Sequence, residues 1–517
     1  MAVESLLFSV LLLGLITLVV KLLNWVWFRP KRLEKLLRKQ GLHGNPYRFL
    51  LGDVRDMMNV TRDEQLRSIR FSDHLLPHIL PFYHGVITKH GKNSFFWFGP
   101  RPRLNISDPE MLKEILAKPD VFHKTRPDPG ETIAGGIAFL EDDEWAKRRK
   151  IITPAFHIEK LKNVVPVVWM SCLKMMENWE GKFSVGETNQ AEIDVWPCLE
   201  ELTADVISTT SFGVSSEEGR RVYALQQRQV KLVLDVLQFF FIPGWKFVPS
   251  KANTEMKSIS REIGFLLRRM IEHREKAMRN GDAIDDDLLN ALMESNLREI
   301  KDQGNEKRAG LSVEDVIEEC KLFYFAGSET TSVLLVYTMV MLGKHQEWQA
   351  RAREEVFRVL GKQQKPTTDC LSRLKIVTMI LQEVLRLYPP APVTLRTPTR
   401  SVKLGNMTVP KGVDLMLLIG EMHHDPMIWG ADAGEFKPER FSEGISGAAK
   451  TRYSFIPFIS GPRVCIGQNF AMITARLSLA MILQRFSVDL SPSYRHAPFP
   501  ILTLQPQHGA TLLLKKL

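Results

Sequence analysis

The chain has 517 residues, a formal net charge of +10, and 44% hydrophobic against 25% charged residues. That balance describes a globular core and excludes a disordered chain, while the length allows several domains or one large one. Basic residues are spread along the chain without a nucleic-acid motif, so the charge points to no nucleic acid but to a membrane surface or an acidic protein partner.

The run from Leu6 to Phe28 is apolar, with Lys21 its one charge and Asn24 its one amide side chain. At about 1.5 Å per residue it is long enough to cross a bilayer. Arg29, Lys31, Arg32, Lys35, Arg38 and Lys39 follow it, whereas only Glu4 precedes it. Positive charge on that side predicts a cytosolic location for the rest of the chain. A cleaved signal peptide is disfavoured, because no small-x-small site follows and the charges flank the wrong end. Residues 1–28 therefore read as a retained single-pass anchor, expected in the endoplasmic reticulum. Residues 29–50 read as a basic, proline-containing linker broken at Pro30 and at Gly41–Pro46. Residues 51–517 read as the globular body.

Ser94–Gly99 and Arg103–Ile106 read as a hairpin turned at Gly99-Pro100. Asp108-Pro109 caps a helix through Leu116. His123–Phe139, rich in Pro and Gly, is expected to be a long loop lining a pocket. A helix from Glu144 puts Trp145 and Arg149 on one face, with Lys147, Arg148 and Lys150 as either a solvated basic face or a docking face for an acidic protein partner. Amphipathic helical patterns fill about 160–360. The apolar break Phe239–Trp245 is either core or a lip dipping into the bilayer, and Gly281–Gly310 reads as an exposed connection.

Ser312 and Asp315 form a capping box opening a long helix that contains Ala326-Gly327-Ser328-Glu329-Thr330-Thr331. Small residues there let another body approach, and Thr330 can bond back to a carbonyl one turn earlier. Glu383 and Arg386 lie three apart on an otherwise apolar helix, where buried charges need partners. His423-His424-Asp425 lacks a spaced third ligand for a metal. The five cysteines are scattered, odd in number and free of C-x-x-C pairs, against a disulfide framework or zinc site.

The most specific stretch is Phe458-Ile459-Ser460-Gly461-Pro462-Arg463-Val464-Cys465-Ile466-Gly467, followed by the apolar helical run Phe470–Ala480. A thiol between a glycine-containing loop and a helix N-terminus is favoured as thiolate and suits a haem iron. The F-x-x-G-x-R-x-C-x-G string resembles the cysteine-ligand loop of cytochromes P450. Glu383–Arg386, Pro438-Glu439-Arg440-Phe441 and Gly327–Thr330 resemble that family's other signatures in the same order. Gly44–Arg48, Pro154–His157 and Ile466–Ala471 resemble the plant non-A-type clan that includes secologanin synthase and triterpenoid oxidases. Ser460 departs from the pattern, standing where an aromatic residue is usual.

The resemblance implies a mainly α-helical fold with a small β-rich region and one haem b. It implies Cys465 as axial ligand of the iron and Trp145, Arg149, Arg396 and Arg463 at the propionates. Phe458, Gly461 and Gly467 would shape the loop, and Glu383, Arg386 and Arg440 would hold it. Glu329 and Thr330 would manage protons. The implied activity is oxygenation of a lipophilic terpenoid with dioxygen and electrons from NADPH-cytochrome P450 reductase. Thr132–Phe139, Val393–Leu395 and Phe499–Leu502 would line its pocket. Two alternatives are an isomerase or dehydratase that uses no dioxygen, and a non-catalytic haem-binding membrane protein.

Overall fold

The computed structural model describes every residue except 1, 66, 72, 127, 184–188, 214–216, 281–286, 305–309, 362–365 and 450. Helices dominate, and the described strands form four small sheets. The largest sheet runs in the order Phe95–Phe98, Arg101–Ile106, Asp414–Leu418, Val393–Pro398, Phe122–Lys124. The expected hairpin pairs Phe95 with Leu104 and turns at Gly99-Pro100. Gly99 has φ +60°, and a Cβ there would lie 2.4 Å from the Phe241 ring. Only glycine meets both demands.

The helix Val313–Lys344 runs through the body. Ser312 and Asp315 form its capping box, as expected. Most of its residues are buried, the pattern of a helix enclosed by neighbours. It packs on Val195–Phe212, Lys375–Leu387 and Gln468–Arg485. Gly327 admits Ile207, whose Cδ1 would lie 2.9 Å from an added Cβ.

Several expectations need correction. His123–Phe139 is not one loop: Phe122–Lys124 is a strand, and Pro129–Ile133 a short helix capped by Asp128 onto the Gly130 amide. Within Gly281–Gly310, Leu288–Asp302 is a helix with Leu288, Leu289 and Leu292 buried. Its apolar residues outweigh the polar composition, while 281–286 and 305–309 lie outside the described residues. Pro30 does not break the chain. It occupies the start of Arg29–Lys39, where a missing amide costs little, after a π-helical turn at Asn24–Phe28. In the apolar break, Phe240, Phe241 and Trp245 are buried, but Phe239 is exposed.

Candidate functional site

Gly461 (φ +78°) bends the cysteine loop against the preceding body, and a Cβ there would meet the Leu116 carbonyl oxygen at 2.5 Å. The Cys465 amide donates to the Phe458 carbonyl at 2.9 Å, closing the loop below the helix Gln468–Arg485. The Cys465 sulfur receives the amides of Gly467 and Gln468 and feels the Arg149 charge. Burial nevertheless pushes the thiol above its ordinary range, so these contacts offset only part of the desolvation. Metal coordination deprotonates a thiol outright. Cys465 keeps free surface although protein surrounds it. Free surface amid so much surrounding protein is what the wall of an interior space would give.

The central helix has an open face too. Ala326 is exposed and Gly327 and Thr330 half-buried, in a helix buried on both sides of them. Thr330 Oγ1 donates to the Ala326 carbonyl at 2.8 Å, the expected back-bond, without interrupting the helix. Glu329, one residue earlier, points away from that face and is buried. Its Oε1 accepts from Thr503 Oγ1 at 2.8 Å and from Gln505, and its Oε2 from Gln227 Nε2 at 3.2 Å. Burial and the nearby Glu329 charge push Glu200 up to about 7.

Cations gather on a third side. Lys124, Arg149 and Arg396 have no ion-pair partner among the described residues. Arg149 donates to the Val464 carbonyl at 3.0 Å, and Arg396 to the Leu395 carbonyl at 2.7 Å. Arg463 pairs with Glu141 and lies 4.8 Å from the Trp145 ring centroid. Burial, with Arg463 nearby, lowers Arg396 to about 10; burial, with Arg396 nearby, lowers Lys124 to about 8. Unpaired interior cations are costly unless a ligand supplies anions. Three of them around the cysteine loop fit a haem, whose two propionates would supply that charge. Sequence reasoning missed Lys124, the half-buried last residue of the short strand Phe122–Lys124. It also missed Gln227, Thr503 and Gln505, which come to Glu329 from distant segments.

The supporting network closes as expected. Arg386 Nε and Nη2 donate to Glu383 at 2.8 and 2.7 Å, and its remaining donors reach the carbonyls of His423, Ala433 and Glu435. Arg440 Nε lies 3.5 Å from Glu383 and its other nitrogens bond the Trp429 and Asp432 carbonyls. His423 accepts the Ile456 amide and His424 meets the Leu387 carbonyl. Both rings are pushed down to about 3 by burial, and no metal cluster occurs among the described residues. Arg148 leaves the expected docking face: it is buried, bonding Asp315 at 2.7 Å and Glu319 at 3.0 Å. Ser460 is buried and borders a cavity of about 570 Å³ that also touches Phe458, Gln468, Met472 and Arg476 but does not reach Cys465.

Residues 78–513 match the sequence profile described as Cytochrome P450. The chain is 51% identical over 498 residues to "Cytochrome P450 72A397" of Kalopanax septemlobus, covering 96% of this chain and 95% of that protein. It is 48% identical over 519 residues to "7-deoxyloganic acid hydroxylase" of Catharanthus roseus, covering 99% of each. It is 46% identical over 504 residues to "Echinocystic acid 23-monooxygenase" of Saponaria officinalis, covering 96% of each.

Proposed function

The chain belongs to the cytochrome P450 family, in the plant CYP72 clan, and is a haem-thiolate monooxygenase; from that premise we propose that it oxidises a terpenoid while anchored in the endoplasmic reticulum membrane. The observation that carries the site is Cys465, with free interior surface, in the same body as the open Ala326–Thr330 helix face. The terpenoid class is supported by the activities for which two relatives are named.

In this reading haem b is held through the Cys465 thiolate, with Gly467 and Gln468 amides limiting the sulfur's charge. When bound, the haem supplies dioxygen activation and transfer of one oxygen atom to the substrate. Lys124, Arg149, Arg396, Arg463 and Trp145 bind and orient its propionate edge. Phe458 excludes water. Gly461 fixes the loop. Thr330 Oγ1, freed from the Ala326 carbonyl, would donate a hydrogen bond toward the open face, taking up a solvent proton for each one it passes on, with the Glu329 carboxylate held behind it. Gln227, Thr503 and Gln505 position that carboxylate. NADPH-cytochrome P450 reductase docks near the cysteine loop, where Arg476 is a cationic contact.

Residues 1–28 are read as a single-pass anchor, 29–50 as a junction and 51–517 as the cytosolic catalytic domain. The apolar helix Ala2–Leu23, exposed from Val3 onward, supports that division. The test is product formation in microsomes carrying the chain and a plant reductase, supplied with NADPH and a panel of triterpenoids, iridoid acids and gibberellins. One oxygenated class is expected. A sound thiolate-type carbon monoxide spectrum without any such product would contradict the terpenoid assignment. Thr330→Ala is expected to keep NADPH consumption while product per NADPH falls about tenfold or more; unchanged coupling would place proton delivery elsewhere.

A further inference from the structure

A second cavity, of about 400 Å³, lies between the end of the N-terminal helix and the body. The π-helical turn brings Trp25 and the next helix brings Arg29; the hairpin supplies Phe98 and Arg101. The Phe240–Lys246 segment forms the remaining wall. Its interior is apolar, with Phe98, Phe241, Ile242 and Trp245 among the lining, but its charged residues are all basic: Arg29, Arg101, Arg103 and Lys246. Among the described residues no carboxylate lines it. Arg101 and Arg103 share Asp414, at 3.1 and 3.8 Å. Arg29 and Lys246 are exposed and have no carboxylate partner among the described residues.

The cavity's neighbours indicate its surroundings. Phe247 is 72% and Val248 56% exposed just beyond Lys246, and Phe28 is 58% exposed just before Arg29. Large apolar side chains so exposed, next to the exit of an apolar helix, suit the headgroup boundary of a bilayer. Cations at that depth meet anionic lipid.

We propose that this cavity binds one glycerophospholipid with an anionic headgroup, its phosphate between Arg29, Lys246 and Arg101 and one acyl chain along Trp25, Phe241 and Trp245. The lipid would tie the anchor exit to the Phe240–Lys246 segment and so fix the body's tilt on the membrane. A neutral terpenoid would use the apolar wall but leave the cations unmatched, so charge favours the lipid. The site rests on the membrane anchoring read above, and the experiment separates the two.

The full chain is reconstituted in phosphatidylcholine vesicles containing phosphatidic acid, with brominated acyl chains on one lipid or the other. Quenching of Trp25 and Trp245 is read as the difference from the Trp25→Phe/Trp245→Phe variant. The pair should be quenched more strongly by brominated phosphatidic acid at equal mole fraction. Arg29→Gln and Lys246→Gln should each lower that preference about fivefold, while Lys35→Gln/Lys39→Gln, away from the cavity, leaves it. Lys246→Gln, on an exposed segment, serves if Arg29→Gln folds poorly. Equal quenching by the two lipids would overturn the site, as would an equal loss in the Lys35/Lys39 variant, which would indicate diffuse surface attraction. Failure to float with pure phosphatidylcholine vesicles would instead overturn the anchoring.

Discussion

Two sets of interior charge serve the cysteine loop in opposite ways. Around Glu383, Arg386 and Arg440 most polar atoms have a protein partner, and Glu383 and Arg386 have no exposure. Around Lys124, Arg149 and Arg396 the cations form no ion pair among the described residues; two bond carbonyls, and Asp128 and Glu141 act on Lys124 and Arg396 only from a distance. The first set is complete without a ligand and reads as architecture. The second is incomplete and reads as a binding site. Pairing, more than burial, tells the two apart, because a buried cation is tolerable only when something supplies its counter-charge.

Breaking the complete set should have the larger effect. Glu383→Gln leaves Arg386 without its carboxylate at full burial and is expected to cost about 3–5 kcal/mol, enough to lose most folded protein. The measurement is the yield of soluble protein and its unfolding midpoint; a midpoint near that of the parent would break the comparison. Arg396→Gln touches the incomplete set. It should leave the apoprotein as stable as before or more so, yet weaken haem binding about 10- to 100-fold. Fluorescence titration of apoprotein with haem decides it, and equal loss of stability and affinity would count against the ligand role.

A pH profile sharpens the same contrast. The folded Lys124 value, about 8, lies below the ordinary lysine range, so on raising the pH the folded chain loses this proton before the unfolded chain does. Between those two values the unfolded state binds more protons, and apoprotein stability should rise with pH. Below about pH 8 both states are protonated and this contribution is flat. Haem propionates should return the value upward and flatten the rise. Unfolding midpoints of apo- and holoprotein against pH test this, with Lys124→Met as control; an unchanged slope in that variant would exclude Lys124 as its source. The smallest effect belongs to Lys150, whose pair with Glu299 at 2.7 Å lies at the surface. Lys150→Gln should shift stability by less than about 1 kcal/mol, and a larger change in unfolding midpoint would mean the pair is part of the core network.

Much of this was legible because its signals are local. The Ser312–Asp315 box, the Gly99-Pro100 turn, the Asp108-Pro109 cap and the Glu383–Arg386 spacing each lie within a few residues. The cysteine loop carries its own ten-residue string. Arg148 was misassigned because it sits among basic residues, and nothing nearby announces that Asp315 and Glu319 of the central helix meet it. The Glu329 clamp was hidden for the same reason, since Gln227, Thr503 and Gln505 arrive from separate elements. The short helix after Asp128 was obscured by Pro129 and Gly130, which read as loop residues although proline suits a first helical turn.

The central claim is that Cys465 is the iron ligand at an interior site. The carbon monoxide difference spectrum of reduced Cys465→Ala, beside the parent and a circular dichroism check of folding, tests it most directly. A folded variant that has lost the thiolate-type band is the predicted result. A folded variant that retains that band unchanged would contradict the assignment.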